Sequence, residues 1–178
     1  MNRNVVIQKL ETNAKRKIVI SDIHGNLDLY QALLQKIQYK PNEDCLILLG
    51  DLIEKGNRNL DTLHYIMHQV QTEDVHCIMG NCDFIAKNVL YSYRLDFLKH
   101  VLGFRKASLI HEMAKSLKIE INQNSNMSEV CQILRKHYLA ELCFLNDLPH
   151  VLEDDEHIYV HAGIESNENY GTDFKQVM

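Results

Sequence analysis

The sequence predicts an α/β fold in which a parallel, doubly wound sheet is flanked by helices. Three apolar segments, "KIVIS", "CLILL" and "VHCIM", have the length and composition of buried strands, and each ends in a polar turn. Segments with helical periodicity follow, so that strand, turn and helix repeat along the chain. This repeat is typical of parallel strands that are connected by helices.

The strands are assigned in chain order from their apolar runs. Residues 4–10 predict a short edge strand, residues 17–21 a buried strand, and residues 45–49 an all-apolar second strand. Residues 75–79 form the third strand, and "HIYV", residues 157–160, forms the last one. The strands at residues 17–21, 45–49 and 75–79 are expected to lie side by side, because a helix follows each of them in the sequence.

The helices are assigned from apolar residues that recur every three or four positions. The first helix covers residues 27–38, and its expected buried face consists of Leu29, Leu33, Leu34 and Ile37. A second amphipathic helix covers residues 59–71. The pattern then changes to helices alone, which predicts a helical insertion with members at 84–102, 106–119 and 127–144.

The composition is that of a globular protein from a reducing compartment. Of the 178 residues, 46% are hydrophobic and 24% are charged, and no linker divides them, so residues 1–178 are expected to form a single domain. The net charge of −5 disfavours nucleic acid as a partner. No apolar run reaches the roughly 18 residues of a membrane span. Five cysteines without a Cys-X-X-Cys pair indicate a cytoplasmic location.

Four polar motifs follow four of the apolar strands. Ligands of open α/β sheets bind at the carboxyl ends of the strands, so these motifs are expected to converge at one edge. Carboxylate, imidazole and amide groups together suit Mn²⁺, Fe or Zn²⁺, and one aspartate can bridge two ions roughly 3.5–4 Å apart. The candidate metal ligands are Asp22, His24, Asp51, Asn81 and His161.

Each motif alone has an ordinary structural explanation. An aspartate after a strand often caps a helix, and a single histidine in a loop or at a strand end is usually structural. Four such motifs in this order favour a ligand site instead. The cysteines within apolar strands, Cys45 and Cys77, are interpreted as small core residues.

The order Asp-X-His, Gly-Asp, Gly-Asn-X-Asp and His-Ala-Gly resembles the calcineurin-like metallophosphoesterases over residues 17–165. The segments "GDLIEKG" and "LPHVLEDDEHIYVHAGI" are most similar to the PPP-type serine/threonine phosphatase branch. The resemblance implies a sheet sandwich flanked by helices, with the helical insertion at about residues 84–146. The family continues to a further metal-binding histidine after His-Ala-Gly, which implies that this chain lacks the last strands of a longer domain.

The resemblance also assigns a role to each ligand. Asp22, His24 and Asp51 would hold one divalent ion. Asp51, Asn81 and His161 would hold the second ion, with Asp51 bridging the two. Mn²⁺ is the expected metal, with Fe or Zn²⁺ as alternatives, and Asn81 would also help to orient the phosphate.

Two catalytic positions, Cys82 and Lys55, depart from the phosphatase branch. Cys82 stands where that branch has a histidine that looks like the proton donor, and Glu54 corresponds to the aspartate partner of that histidine. The sequence Gly-Asn-Cys-Asp instead resembles small phosphodiesterases of the same superfamily. Lys55 replaces a phosphate-binding arginine, which keeps the charge but loses the bidentate fork. The expected catalytic residues are Asp51, Asn81, Glu54, Lys55 and Cys82.

The expected reaction is the hydrolysis of a phosphomonoester or phosphodiester, such as a phosphoprotein or a nucleotide, at a two-metal site. The alternative is a domain that binds metal or a partner protein without turnover, which Cys82 and the absent histidine favour. An incomplete sheet would expose an edge, through which the chain could self-associate. No membrane partner is expected.

Overall fold

Strands and helices alternate between residues 16 and 90 of the computed structural model, which describes residues 5–98, 102, 108–166, 168, 170–171 and 177–178. The strands of this part of the chain are β1 Ile7–Lys9, β2 Arg16–Ile20, β3 Asp44–Leu48, β4 Val75–Cys77, β5 Val151–Glu153 and β6 Ile158–Val160. Its helices are α1 Leu27–Lys36, α2 Asn59–Thr72, α3 Asn81–Leu90, α4 Leu109–Ser116, α5 Met127–His137 and α6 Leu139–Asp147. None of the described helices combines the length and apolarity that crossing a membrane requires.

Two three-stranded sheets pack face to face. In the first, β3 lies between β2 and β4, all strands are parallel, and Ile47 pairs with both Val19 and His76. In the second, β5 lies between β1, which is parallel to it, and β6, which is antiparallel. The small core between the sheets consists of Leu10, Cys45, Ile47, Ile78, Leu152 and Tyr159. The expected sheet sandwich is confirmed, whereas the expected single doubly wound sheet is replaced by two small sheets, one of them mixed.

The central strand β3 is buried on both faces. Leu46 and Leu48 pack into the larger core that the helices form, whereas Cys45 and Ile47 face the second sheet. Burial on both faces explains the uninterrupted apolar run "CLILL". Asp51 therefore follows a strand that is held from both sides, so its position is well defined.

The exposure of β2 differs from the expectation of a buried strand. Ile18 and Ile20 pack against the helix-side core, but Val19 is 46% exposed. The reason is that the second sheet covers β3 and leaves the same face of β2 open. Lys17 crosses that face, with its Nζ 2.8 Å from Asp154 in the β5–β6 turn.

The buried face of α1 also differs from the one expected. Leu34 is buried as predicted, but Leu29 is 71% exposed and Leu33 is 38% exposed. Leu27 and Tyr30 take the core positions instead, and the Tyr30 hydroxyl donates to the buried Gln69 Oε1 over 2.8 Å. An amphipathic tyrosine can bury its ring because a partner for its hydroxyl exists across the helix pair.

Two predicted helices have different bounds. The helix expected at 84–102 begins earlier, at Asn81, and ends at Leu90, with a 3₁₀ turn at Leu95–Phe97 beyond it. The helix expected at 127–144 is divided at Tyr138, where φ is −116° and ψ is 35°. Parts of the helices predicted at 84–102 and 106–119, namely 99–101 and 106–107, lie outside the described residues.

Candidate active site

Backbone contacts bring the turns after β2, β3 and β4 together. The amide of Asp22 donates to Gly50 O over 3.3 Å, and the amide of His24 donates to Asp51 O over 2.8 Å. Gly50 has φ +84°, and a Cβ there would lie 2.3 Å from Gly80 N. A Cβ on Gly80 would lie 2.1 Å from Asp51 N. These two positions require glycine because the backbones of neighbouring turns touch there.

The backbone of this edge is strained. Left-handed φ angles occur at Asp22 (55°), His24 (49°), Asp51 (51°), Glu54 (72°) and Lys55 (70°). Residues other than glycine rarely adopt this region, at a cost on the order of 1 kcal/mol or more each. Such strain persists only where the surroundings hold it in place, and it is concentrated at functional sites. The turns therefore fix side-chain directions that a relaxed loop would not select.

A buried carboxylate, Asp83 at the start of α3, ties two of these turns together. It accepts hydrogen bonds from Gly80 N at 3.0 Å, from Leu52 N at 3.0 Å and from Ile53 N at 3.3 Å. Burial raises the pKa of Asp83 to about 7, the charge of Asp51 adds to this increase, and the backbone hydrogen bonds oppose it. Asp83 was not among the residues expected from sequence. An acidic residue just inside a helix start is, however, a recognisable capping signal.

The two carboxylate oxygens of Asp51 face different histidines. Asp51 Oδ1 accepts from Cys82 N at 2.8 Å and lies 3.6 Å from His161 Nε2. Asp51 Oδ2 lies 3.5 Å from His24 Nε2, and Asp22 Oδ1 lies 3.7 Å from that same nitrogen. The Asp51 side chain is only 3% exposed, so the direction of each oxygen is set by the fold.

Both histidines turn the same nitrogen toward Asp51. His161 Nδ1 lies 2.7 Å from Leu49 O, and His24 Nδ1 lies 3.4 Å from Ile53 O. A carbonyl oxygen can only accept, so these contacts assign the ring proton of each neutral imidazole to Nδ1. Each Nε2 then presents a lone pair to the site. Metal-binding histidines are commonly oriented by a second hydrogen bond of this kind.

The acceptor atoms around Asp51 fit a bound cation. His161 Nε2 lies 3.0 Å from Asn81 Oδ1, and both atoms are acceptors once the His161 proton is on Nδ1. One ligand atom each from Asp22, Asp51 and His161 also lie within 4.8 Å of one another. Lone pairs that face each other repel unless a positive charge lies between them. Nitrogen, carboxylate and amide oxygen together suit a transition-metal ion.

The ammonium group of Lys55 already occupies part of this acceptor cluster. Lys55 Nζ lies 2.8 Å from His24 Nε2 and 3.9 Å from Asp51 Oδ2. The contact is a hydrogen bond that Lys55 donates, because His24 Nε2 is the acceptor in this tautomer. A side-chain cation thus stands beside the ligands expected for the first ion, which indicates that the pocket attracts positive charge.

The thiol of Cys82 lies inside the same cluster. Ligand atoms of His24, Asp51 and Cys82 lie within 4.8 Å of one another, and Cys82 is 2% exposed. Burial raises the pKa of the Cys82 thiol well above its usual range, and the charge of Asp51 raises it further. The thiol is therefore held in its protonated form, which is a poor nucleophile.

The Glu54 side chain makes its hydrogen bond to α4, and no hydrogen bond within the described part of the chain joins it to the other expected site residues. Its Oε1 accepts a hydrogen bond from Leu109 N at 3.2 Å, at the first residue of α4, and its Oε2 has no hydrogen-bond partner within the described part of the chain. Burial raises the pKa of Glu54 to about 8, with smaller contributions from nearby acidic groups that include Asp83. A protonated Glu54 connects the turn after β3 to α4. The structure brings together the seven remaining residues, which are Asp22, His24, Asp51, Lys55, Asn81, Cys82 and His161.

Comparison with known proteins identifies a family that covers most of the chain. The model of the calcineurin-like phosphoesterase family matches residues 15–174. Among curated relatives, a symmetrical bis(5'-nucleosyl)-tetraphosphatase from Pseudomonas fluorescens is 29% identical over 104 residues, which are 56% of this chain and 35% of that protein. The same kind of enzyme from Escherichia coli O139:H28 is 38% identical over 65 residues, which are 36% of this chain and 22% of that protein. The matched segments thus span about a third or less of these relatives' own length.

Solved structures share the fold at lower sequence identity. A candidate diadenosine tetraphosphatase has a TM-score of 0.63 and 17% identity, with coverage of 97% of this chain and 62% of that one. A metallophosphoesterase from Sphaerobacter thermophilus has a TM-score of 0.52 and 18% identity, with coverage of 85% and 48%. A serine/threonine phosphatase from Saccharomyces cerevisiae has a TM-score of 0.51 and 11% identity, with coverage of 98% and 48%. These likenesses show the fold alone.

Proposed function

The chain belongs to the calcineurin-like phosphoesterase family, and on that premise we propose that it is a metal-dependent hydrolase of phosphoester or phosphoanhydride bonds, with dinucleoside polyphosphates as its substrate class. The observation that carries this proposal is the pair of facing acceptors, His161 Nε2 and Asn81 Oδ1, beside the buried Asp51 carboxylate. Asp51 is the centre of the proposed site because its two oxygens face the two histidines.

We infer two metal positions from the same contacts. Asp22, His24 and Asp51 would hold the first ion, and Asp51, Asn81 and His161 would hold the second. Mn²⁺ is the proposed metal, since hard oxygen ligands and two imidazoles suit it. When bound, such ions lower the pKa of water and neutralise charge on phosphoryl oxygens.

Lys55 is proposed to bind the phosphoryl group. Its side chain is 49% exposed, and its Nζ lies against His24 Nε2. His24 must lose this contact with Lys55 in order to bind a metal ion. Once displaced, the ammonium group remains tethered beside the site and can pair with a phosphate oxygen. A lysine contributes a point charge without the two parallel hydrogen bonds of an arginine, so it stabilises charge but orients the phosphate weakly.

The acidic groups nearest the proposed ligands are poorly suited to protonate a leaving group, which favours a substrate that needs no such proton. The Cys82 thiol is too weakly acidic, because burial and Asp51 raise its pKa. Asp83 is fully buried and bonded to three backbone amides. Hydrolysis breaks the bond from phosphorus to the leaving oxygen as water oxygen bonds to phosphorus. A nucleotide leaves as a stable phosphate anion, whereas the serine of a phosphoprotein would leave as an alkoxide and benefit from general acid catalysis, typically about 10²–10⁴-fold.

Other features are consistent with this proposal. The relatives described in the previous section are tetraphosphatases that act on bis(5'-nucleosyl) compounds. All five cysteines are unpaired, which supports a reducing, cytoplasmic location. We further propose that the open edge of β2, which pairs only with β3 among the described strands, can mediate self-association.

Substrate competition and metal dependence test the proposal together. The chain is stripped with a chelator, reloaded with Mn²⁺, and assayed on diadenosine tetraphosphate, bis(p-nitrophenyl) phosphate and a phosphoserine peptide. We expect the tetraphosphate to be hydrolysed fastest and the peptide slowest. Asp51→Asn should abolish turnover, whereas Asp155→Asn, at a side chain that is 93% exposed, should not change it.

The outcomes separate the alternatives. A phosphoserine peptide that is cleaved fastest would contradict the proposed substrate class. Two bound metal ions with no turnover of any substrate would contradict the enzyme and support a domain that binds metal or a partner protein.

A further inference from the structure

A second group of metal-ligand side chains lies at the opposite end of the same strands. Cys45 is near the start of β3, Asp74 directly precedes β4, and His76 lies within β4. Ile47 pairs with His76, and side chains alternate along a strand, so Cys45 and His76 share one face of the sheet. One ligand atom from each of the three residues lies within 4.8 Å of the other two.

Asp74 is already held in place between two neighbours. Its Oδ1 lies 2.8 Å from His76 Nε2, and its Oδ2 accepts a hydrogen bond from the Thr12 hydroxyl. Thr12 also accepts from Ala14 N at 3.0 Å. The loop between β1 and β2 therefore covers the cluster and fixes the carboxylate from outside. A partner of this kind is what orients the ligands of a metal site.

The cluster is open to solvent on one side. Asp74 and Thr12 line a cavity of about 620 Å³, whose wall also includes the acidic Glu11, Glu43 and Asp44 and the basic Lys15 and Arg16. The side chains of Asp74 and His76 are 28% and 23% exposed, whereas Cys45 is fully buried behind them. Acidic side chains outnumber basic ones in this wall, so a cation can approach the Asp74 carboxylate from the cavity.

We propose that Cys45, Asp74 and His76 bind a Zn²⁺ ion, with a water molecule as the fourth ligand on the cavity side. Thiolate, imidazole and carboxylate are the usual zinc ligands, and three protein ligands with one open position form a tetrahedral site. The proposed ligands here include a soft sulfur, whereas those proposed around Asp51 are carboxylates, imidazoles and an amide, so the two ends of the sheet favour different metals. Binding releases the thiol proton of Cys45 to solvent, because the thiolate is the ligand.

Cobalt spectroscopy on single variants tests the site without an activity assay. Co²⁺ is titrated into the metal-free chain, and the near-ultraviolet charge-transfer band of a thiolate–Co²⁺ bond is recorded. We expect this band in the wild type and in the controls Cys82→Ser and Cys143→Ser, and its loss in Cys45→Ser. Zn²⁺ should displace Co²⁺ and remove the band. The Cys82→Ser control is essential because Cys82 lies beside the proposed catalytic ligands.

A partly exposed ligand provides a second variant in case Cys45→Ser fails to fold. His76→Gln keeps a polar partner for Asp74, and it should weaken Zn²⁺ affinity, measured by competition with a chromophoric chelator, by at least roughly tenfold. Three results would overturn the proposal: no thiolate band in the wild type at saturating Co²⁺, a band lost in Cys82→Ser but kept in Cys45→Ser, or unchanged Zn²⁺ affinity in His76→Gln. The result does not depend on hydrolysis, so it is independent of the proposed function.

Discussion

The two ends of β3 and β4 carry polar clusters that are built in different ways. At the carboxyl ends, Asp51 lies among turns whose backbones touch, and it has a left-handed φ of 51°. At the amino ends, none of Cys45, Asp74 and His76 has a positive φ angle. The same two strands thus present a strained cluster at one end and a relaxed cluster at the other.

This difference indicates what each cluster needs from the fold. The carboxyl-end residues come from four separate turns, and their directions depend on strain and on the buried Asp83 that joins two of the turns. The amino-end residues follow from strand register alone, with one loop hydroxyl as support. We therefore expect metal binding at the carboxyl end to depend on the residues that support the ligands, such as Asp83. Metal binding at the amino end should depend only on the ligands themselves.

Removing the carboxylate under the turns should have the largest effect. Asp83→Ala leaves the buried amides of Gly80, Leu52 and Ile53 without an acceptor, at about 1–3 kcal/mol for each unsatisfied group. We expect a loss of several kcal/mol in the free energy of unfolding by urea, together with weaker Mn²⁺ binding. The matched change at the amino end, Asp74→Ala, should cost less because Asp74 is partly exposed. Equal losses would remove the contrast between the two ends.

Lys55→Ala separates substrate binding from metal binding at the carboxyl end. The ammonium group competes with a cation at His24 Nε2, so its removal should leave Mn²⁺ affinity unchanged or higher. Turnover should nevertheless fall by roughly 10²-fold, as for other groups that stabilise charge in a transition state. Lys40→Ala, at a side chain that is 62% exposed, is the control. A parallel fall of metal affinity and turnover would show that Lys55 supports the ligands and does not act on the substrate.

The buried Glu54 should give the carboxyl end a pH dependence. Its folded pKa of about 8 lies above the ordinary value of 4.5, so the fold prefers the protonated form, and stability should decrease as pH rises from about 4.5 to 8. Each tenfold difference in proton affinity between the folded and unfolded chain corresponds to about 1.4 kcal/mol. In metal-free protein, Glu54→Gln should therefore reduce the loss of unfolding free energy between pH 5 and pH 8.

The exposed Glu43→Gln is the control for that comparison, since its side chain is 69% exposed. If wild type and Glu54→Gln lose stability equally over this pH range, Glu54 does not titrate as its burial requires.

The smallest effect is expected at Cys82. Its amide orients Asp51, and a substitution of the side chain keeps that bond, so Cys82→Ser should retain most of the turnover. Cys82→His would add an acid beside the site and should raise turnover of a phosphomonoester more than turnover of diadenosine tetraphosphate. A phosphocysteine trapped on the wild type and identified by mass spectrometry would contradict this account.

The sequence predicted the parts of the fold that depend on local patterns. Strand β3 was found because both of its faces are covered, which leaves an uninterrupted apolar run. The ligand motifs were found because turn residues follow each strand. The buried face of α1 was not predicted correctly, because Leu29 and Leu33 have the same hydrophobicity as core residues. The packing of Tyr30 against Gln69 decides which side of the helix is covered.

The parts that were missed depend on contacts between distant segments. Asp83 accepts hydrogen bonds from Gly80 and from Leu52, which lies 31 residues earlier in the chain, so its role appears only when both turns are in place. Cys45 lies in the core between the sheets, as its apolar neighbours in sequence predicted, but its proximity to Asp74 and His76 was not predicted. Strand pairing brings Asp74 and His76 to it, and no local pattern in "DCLIL" or "VHC" encodes that proximity.

The central claim is that Asp51 serves two metal ions, and counting bound Mn²⁺ per chain by elemental analysis after equilibrium dialysis tests it most directly. Asp51→Asn, Asn81→Ala and the exposed control Asp155→Asn are compared with the wild type. We predict that Asp155→Asn binds as the wild type does, that Asn81→Ala loses the ion proposed between Asn81 and His161, and that Asp51→Asn loses both ions. The reason is that the two Asp51 oxygens face His24 and His161. An equal loss in Asp51→Asn and Asn81→Ala would contradict the bridging role.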